Sequence, residues 1–445
     1  MNSPIFRDKG MSLFVMRLFQ SAYAKGMSLF EFSIKGDDLM QKQWKKTFAL
    51  IFSGQIFSIL TSSMVQFAVI WHLTESTGSA AVLMIAGLAA FLPQAVLGPF
   101  VGVWLDRWSR KLTMIIADSA IALFSLILGF YFILGEPGLG FVYIILSLRS
   151  AASAFHAPAF QAAVPLIAPE EELTRVAGWQ QMVFSFSNVM GPALGIAVYS
   201  ATSLGAVLLL DVAGALIANL MLFLVKIHQP KAQATVSPSF IHEFRLGWSA
   251  LIQAKPIVLI TGATAVFSIA FMPLATLFPY MTLSHFGRGG YSASLVEAVF
   301  SIGMILGGLL LSVFSSKWSD ISYMSLGLLV IGLTCVISGL IGPNAFVIFA
   351  VLSFFMGSAA PFFNGPFMAM IQRSFEPEML GRVISLVTSI MMLSSPIGLL
   401  LAGPVVDEYG VQLWFLGSGI VVMLTALFIF IQFRRLAFRQ RTETE

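Results

Sequence analysis

Residues 98–111 read GPFVGVWLDRWSRK and join two long apolar stretches through a short basic turn. Gly98 and Gly102 stand about one helical turn apart, so another backbone can approach that face closely. Asp106 and Arg107 end the first apolar run, while Arg110 and Lys111 precede the next, which begins at Leu112. A tight cationic turn between two hydrophobic helices predicts a cytoplasmic hairpin of a multispanning membrane protein. The charge pattern by itself also fits a loop that does no more than set topology.

Working outward, the rest of the 445-residue chain agrees. Hydrophobic residues make up 58% of it and charged residues 10%, and the mean hydropathy is +0.89. A soluble globular protein carries about 25% charged residues, so this is an integral membrane protein. The 41 Phe and 22 Met suit lipid-facing surfaces and adaptable apolar cavities. A net charge of +4 raises the thought of nucleic acid. The positive residues instead cluster at helix ends, where they match anionic headgroups, so nucleic acid is not expected as a partner. Cys335 is the only cysteine, which rules out an intramolecular disulfide and a CxxC metal site. His72, His156, His228, His242 and His285 are scattered without ligand spacing, and no GxxxxGK[ST] phosphate loop or nucleophilic triad is present. Neither a metal, a cofactor nor an enzymatic activity is expected.

A spanning helix needs roughly 20 apolar residues. Twelve stretches qualify, near 47–72, 78–104, 112–134, 139–161, 174–200, 203–227, 256–282, 292–315, 321–341, 345–372, 380–405 and 411–433. Lys42, Lys45, Lys46, Arg107, Arg110, Lys111, Arg175, Lys226, Lys231, Arg245, Lys255, Lys317, Arg373, Arg382, Arg434, Arg435, Arg439 and Arg441 fall on one set of loops. The alternate loops carry only Arg288, so both termini are expected in the cytoplasm. The expected order is an N-terminal extension over 1–45, a six-helix bundle over 46–227, a linker over 228–255, a second bundle over 256–434 and a tail over 435–445. The extension shows no cleavable secretory signal, and two readings of it stand: a helix on the membrane surface near 13–30, or an incidental segment before a natural start at Met40. In the linker, Ile241, Phe244, Trp248 and Leu251 recur at helical spacing, which predicts an amphipathic helix at the membrane interface or an ordinary linker helix.

An internal repeat supports the six-plus-six division. FLPQAVLGPF at 91–100 aligns with FSIGMILGGL at 300–309, and the Pro158/Pro169 pair aligns with Pro366/Pro377 at an offset of 208. Similar offsets at separate places imply two halves of one fold. The second half keeps only Lys317 and Asp320 of the hairpin's charges.

The pattern Gly102-x-x-x-Asp106-Arg107-x-x-Arg110-Lys111 resembles the loop between helices 2 and 3 of the major facilitator superfamily. Ser109 stands where that family usually has a second glycine, and Trp104 where it usually has leucine. LTESTGSAAVL, FLPQAVLGPFVGVWLDR, AFHAPAFQAAVPLIAPEEELT and MLGRVISLVTSIMMLSSPIGLLLAG resemble the superfamily's macrolide-efflux branch, a likeness spanning 40–434. The resemblance implies an all-α membrane fold, with twelve transmembrane helices in two pseudo-symmetric six-helix bundles. It further implies a secondary transporter that exports hydrophobic or amphipathic compounds in exchange for protons, by alternating access. Gly98, Gly102, Asp106, Arg107, Arg110 and Lys111 would then form a conformational latch, with Asp106 meeting the chain near Gly381 and Arg382.

An ionisable residue within a span costs about 2.5–3.5 kcal/mol on insertion scales, which makes each one a functional candidate. Arg149 lies mid-span in LSLRSAASAF, which resembles the family's fourth-helix motif, where a buried arginine is tied to proton coupling. Asp211 in LLLDVAGAL and Glu297 in SLVEAVF are candidates for reversible protonation, with structural hydrogen bonding as the alternative. Asp118 is also a coupling candidate, although its nearness to Arg110 and Lys111 favours a structural ion pair. Asn188, Gly191, Pro192 and Gly195 partly match the GPxxGG motif of proton-coupled exporters, and they equally suit close helix packing. The expected partners are a hydrophobic small molecule, protons and membrane lipid, with the chain acting as a monomer in a plasma membrane. Uptake by symport, or export of a self-made siderophore or peptide, stays open. Asp211→Asn is expected to abolish proton-driven export while leaving the chain folded.

Overall fold

The computed structural model of the protein describes residues 29–105, 108–135, 137–169, 172–225, 227, 240–314 and 319–444. The first half comprises α1 (Leu29–Thr77), α2 (Ala80–Leu105), α3 (Arg110–Leu134), α4 (Leu139–Ala163), α5 (Leu173–Ala201) and α6 (Leu204–Leu224). After the linker helix α7 (Phe240–Gln253), the second half comprises α8 (Lys255–Ser284), α9 (Gly290–Phe314), α10 (Asp320–Leu340), α11 (Phe346–Ser374), α12 (Pro377–Tyr409) and α13 (Val411–Thr444). Twelve of these helices are long and apolar enough to cross a membrane. All twelve expected stretches are therefore helices, in the expected order.

Local chemistry sets the helix ends. Ser109, Ser203 and Ser319 each accept a backbone N–H three residues on, at the starts of α3, α6 and α10. Gly78 and Gly410 adopt φ of +59° and +88°, a region open mainly to glycine, and so allow the sharp reversals from α1 to α2 and from α12 to α13.

The halves repeat one packing plan. In the first half α1 packs on α5 and α6, α2 on α4, and α3 on α4 and α6. In the second, α8 packs on α12 and α13, α9 on α11, and α10 on α11 and α13. The halves then meet through α2 against α12 and α5 against α9, a pair of contacts related by the same repeat.

Joining happens chiefly at the end away from the two chain termini, here the far end. There Phe67, Trp71 and Ile196 of the first half share a core with Ala293 of the second. A Cβ on Gly290 would lie 2.3 Å from Ile196, and one on Gly403 would lie 3.0 Å from Ala81, so the halves touch nearly backbone to side chain. At the terminal end, Trp44, Phe48, Ile51, Leu105, Met114 and Val225 belong to a core drawn from first-half residues alone. The linker helix does not lie free: Leu251 is buried, and Gly247 abuts Leu386 and Arg382 of α12.

Candidate transport site

Polar groups concentrate inside the first half. Asp211 on α6 is 1% exposed, and each of its oxygens is supplied with donors. Arg149 Nη1 and Ser125 Oγ donate to Oδ2, both at 2.7 Å. Ser62 Oγ donates to Oδ1 at 2.8 Å, and Thr61 Oγ1 does so at 3.3 Å. Four helices thus converge on one carboxylate, and the Arg149–Asp211 ion pair bridges α4 to α6. Removing one member would leave the other as an uncompensated charge in a low-dielectric interior. The folded outcome expected for Asp211→Asn is revised on that ground.

Asp118 occupies a second layer, seven residues before Ser125 on α3, opposite His156, seven residues after Arg149 on α4. His156 Nε2 is 3.2 Å from Asp118 Oδ1, and Ser58 Oγ donates to the same oxygen at 3.4 Å. The ion pair expected between Asp118 and Arg110 or Lys111 is not formed. Arg110 instead donates to the Ala162 carbonyl at 2.9 Å, and Lys111 to the Val225 carbonyl at 2.6 Å. Both cations sit at helix C-termini, where unpaired carbonyls and the helix dipole favour positive charge.

Glu297 on α9 stands apart from both layers. It lines a cavity of about 260 Å³ between the halves, with Ser63, Gln66, Phe91, Asn188 and Pro192 on one side and Phe271, Thr276, Phe300 and Met304 on the other. A smaller cavity of about 140 Å³ adjoins it, sharing Gln66, Ile70 and Phe91, and reaches Arg149, Ser150 and Gln94. The combined space is walled by aromatic and apolar groups, with Glu297 on one flank and Arg149 on the other. An apolar groove of about 600 Å³ between α8 and α13 carries no ionisable lining residue.

The antiporter-like motif packs α5 onto α1 while facing this cavity. A Cβ on Gly191 would lie 2.2 Å from Ser63 Oγ, and one on Gly195 would lie 2.7 Å from the Met64 carbonyl oxygen. Ser63 Oγ donates to the Ser187 carbonyl across the same contact. Asn188 and Pro192 are the members that reach the cavity.

In the hairpin, Asp106 and Arg107 lie outside the described residues, as does the expected contact of Asp106. Arg110 and Lys111 tie α3 to other first-half helices, and a Cβ on Gly98 would meet nothing within 4 Å. Only the backbone of Gly102 is described, within α2. The two departures from the family pattern acquire roles. Ser109 caps α3, and Trp104 stacks on Phe155 and Trp108 at centroid distances of 5.6 and 6.0 Å.

Sequence reading missed three contributors. Spacing alone does not pair His156 with Asp118, which lies 38 residues away on another helix. The hydroxyls of Ser58, Thr61 and Ser62 form, with Gln55, a polar stripe at helical spacing on α1 that the residues alone display. Asp407 at the end of α12 accepts the Ala80 N–H at 2.6 Å, the Ala81 N–H at 3.0 Å and the Ser79 hydroxyl at 3.1 Å. A carboxylate of the second half thereby caps the first turn of α2 at the far end. Nearby, Tyr280 donates to the Gly78 carbonyl at 3.1 Å.

Comparison with known proteins places this arrangement. Residues 51–296 and 263–444 match the family model of the Major Facilitator Superfamily. Macrolide efflux protein A of Streptococcus pyogenes is 39% identical over 387 residues, covering 86% of this chain and 95% of that protein. A protein of the same name from Enterococcus faecalis is 39% identical over 325 residues, 72% of this chain and 100% of its own. The multidrug efflux pump Tap of Mycolicibacterium fortuitum is 24% identical over 381 residues, 80% of this chain and 88% of that protein. Among solved structures, the nucleoside transporter NupG superposes with a TM-score of 0.71 at 13% identity, over 87% of this chain and 99% of that one. A D-xylose-proton symporter does so with a TM-score of 0.67 at 13% identity, over 86% and 96%. At such identities the likeness shows the fold.

Proposed function

The chain belongs to the Major Facilitator Superfamily, on its macrolide-efflux branch, and we propose that it exports macrolide-like amphipathic compounds in exchange for protons. It is a membrane transporter rather than an enzyme. The observation that carries the finer reading is the cavity between the halves, lined by Phe91, Phe271, Phe300 and Met304, with Glu297 as its carboxyl group. Aromatic and thioether walls repack around varied apolar cargo. A carboxylate among them attracts a protonated amine and rejects an anion, because an unpaired charge in such surroundings is costly.

Alternating access supplies the cycle. The halves share cores at the far end, while a core of first-half residues alone fills part of the terminal end, which fits a state open toward the termini. The Lys and Arg distribution puts the termini in the cytoplasm of a plasma-membrane protein, so cargo enters from inside. A drug-sized ligand fills about 300–1,000 Å³, so the present cavity has to widen as the halves part. Once the far end opens, a proton from outside neutralises Glu297, the cargo's cationic group loses its partner, and the cargo leaves. The proton departs on the inside after the cycle reverses. Proton exchange also draws on Arg149, Asp211 and Asp118, and the chain works as a monomer.

A susceptibility panel tests this reading. Expressed in an efflux-deficient bacterium, the chain is expected to raise resistance to macrolides, and a proton uncoupler is expected to remove that resistance. Increased drug accumulation on expression would mark uptake instead and overturn the proposal.

A further inference from the structure

Two buried carboxyl groups of the first half are built differently. Asp211 has donors on both oxygens and a permanent cation beside it. Asp118 has His156 Nε2 at 3.2 Å from Oδ1, a charge contact outside hydrogen-bond geometry, and the Ser58 hydroxyl on the same oxygen, while its Oδ2 is buried with no partner among the described residues. Its side chain is 2% exposed, and that of His156 is 13% exposed.

Charge balance then constrains what the pair can be. The charged groups on the surrounding helices are few among the described residues. Arg149 and Asp211 neutralise each other two turns away on α4 and α6. Arg110 and Lys111, at the start of α3, are held by carbonyls. The stretch of α1 between Lys46 and His72 and the whole of α2 contain no ionisable residue. Asp118 and His156 therefore compensate only each other. The pair is electrically neutral when it carries one proton, as carboxylate with imidazolium or as carboxylic acid with imidazole. Losing that proton leaves a bare carboxylate, and gaining another leaves a bare imidazolium, each costly at this depth.

The layers also connect. Ser58 Oγ donates to Asp118 Oδ1 at 3.4 Å, and one turn on Thr61 Oγ1 lies 3.3 Å from Asp211 Oδ1 while bonding the Phe57 carbonyl at 2.9 Å, so α1 touches both layers. Seven residues separate Asp118 from Ser125 and Arg149 from His156. At 1.5 Å per residue this places the second layer about 10 Å from the first, toward the terminal end.

We propose that Asp118 and His156 form a proton-binding site inside the first half, separate from the cargo cavity, which holds one exchangeable proton and delivers it toward the terminal end. The inference rests on the reading of this chain as a proton-driven exporter. In the step itself the proton leaves the pair for water on the terminal side, and when the cycle reverses a proton from water on the far side takes its place on the same atoms; no other bond changes.

Proteoliposomes and radiolabelled erythromycin as the macrolide probe separate this role from a structural one. Accumulation under an imposed pH gradient requires proton movement, whereas exchange of label for unlabelled drug at equal pH does not. Asp118→Asn and His156→Gln are expected to lower gradient-driven accumulation by about tenfold or more, the scale of a lost proton-transfer group, and to flatten its pH profile. Exchange is expected to persist. The double variant, which buries no charge, serves as the control for folding and is expected to exchange as well. Single variants that accumulate drug with the wild-type pH profile would refute the site. So would a double variant that has lost exchange, since that marks a structural pair. Wild-type protein that accumulates nothing under the gradient while still exchanging would instead overturn proton-driven export itself.

Discussion

The step of 208 residues that carries Pro158 onto Pro366 also carries Arg149 onto Gly357 and Asp211 onto Gly419. In the first half these positions hold a 2.7 Å ion pair between α4 and α6. In the second they hold glycines pressed on neighbouring backbone. A Cβ on Gly357 would lie 2.0 Å from the Phe300 carbonyl oxygen, and one on Gly419 would lie 2.6 Å from that of Gly332. The adjoining helices keep nearly that register, since Gly129 abuts Leu208 where Gly339, 210 residues on, abuts Leu416. Equivalent helices thus reach equivalent positions with buried charges in one half and without them in the other. The fold does not require the charges, so their presence in the first half calls for a functional reason.

Breaking the ion pair should have the largest effect. Arg149→Leu or Asp211→Asn leaves one buried charge uncompensated and is expected to cost about 3–5 kcal/mol, read as thermal unfolding in detergent. Replacing both by leucine should recover most of that stability while gradient-driven transport stays lost. A double variant that transports would mean that the first half, like the second, uses these positions for packing alone.

The converse change belongs to the second half. Gly357→Leu forces a side chain against the Phe300 carbonyl and is expected to cost about 1–3 kcal/mol or more by overpacking. Gly98→Ala meets open space and should stay within about 0.5 kcal/mol of wild type. Equal effects of the two would undo the contrast between close-packed and open glycine faces.

The contact joining the halves is subtler. Asp407→Asn weakens a cap on α2 worth about 0.5–2 kcal/mol, which should shift the population toward a far-end-open form. Cys335 is buried and is the only cysteine, so a thiol placed at Ala275 in the cavity reports that shift cleanly. Its labelling from outside should rise several-fold in the Asp407→Asn background. The smallest effect is expected from Trp104→Leu, which loses stacking worth about 0.5–1.5 kcal/mol and should leave transport near wild type.

Much of this was legible in the residues. Apolar runs longer than a bilayer's thickness fix a helix whatever its neighbours, so the spans followed from Lys46 to Glu75 or Asp320 to Arg373 without further knowledge. The repeat showed that the halves match. Pairing was not legible, because a buried charge takes its partner from whichever helix packs beside it. Asp118 lay close in sequence to Arg110 and Lys111 yet paired with His156 on the next helix. Asp407 looked like an ordinary charge at a helix end, and its role appears only where α12 meets α2. The hydroxyl stripe of Ser58, Thr61 and Ser62 was visible, but its purpose depended on knowing that α3, α4 and α6 surround it.

The central claim is that cargo and proton are exchanged at a shared cavity whose carboxyl group is Glu297. Inside-out vesicles with an acid interior, monitored by a pH-sensitive dye, test it directly. Adding erythromycin should dissipate the gradient through the wild-type protein, and Glu297→Gln should abolish that proton efflux while the protein remains folded. Unchanged, drug-dependent proton efflux in Glu297→Gln would contradict the account.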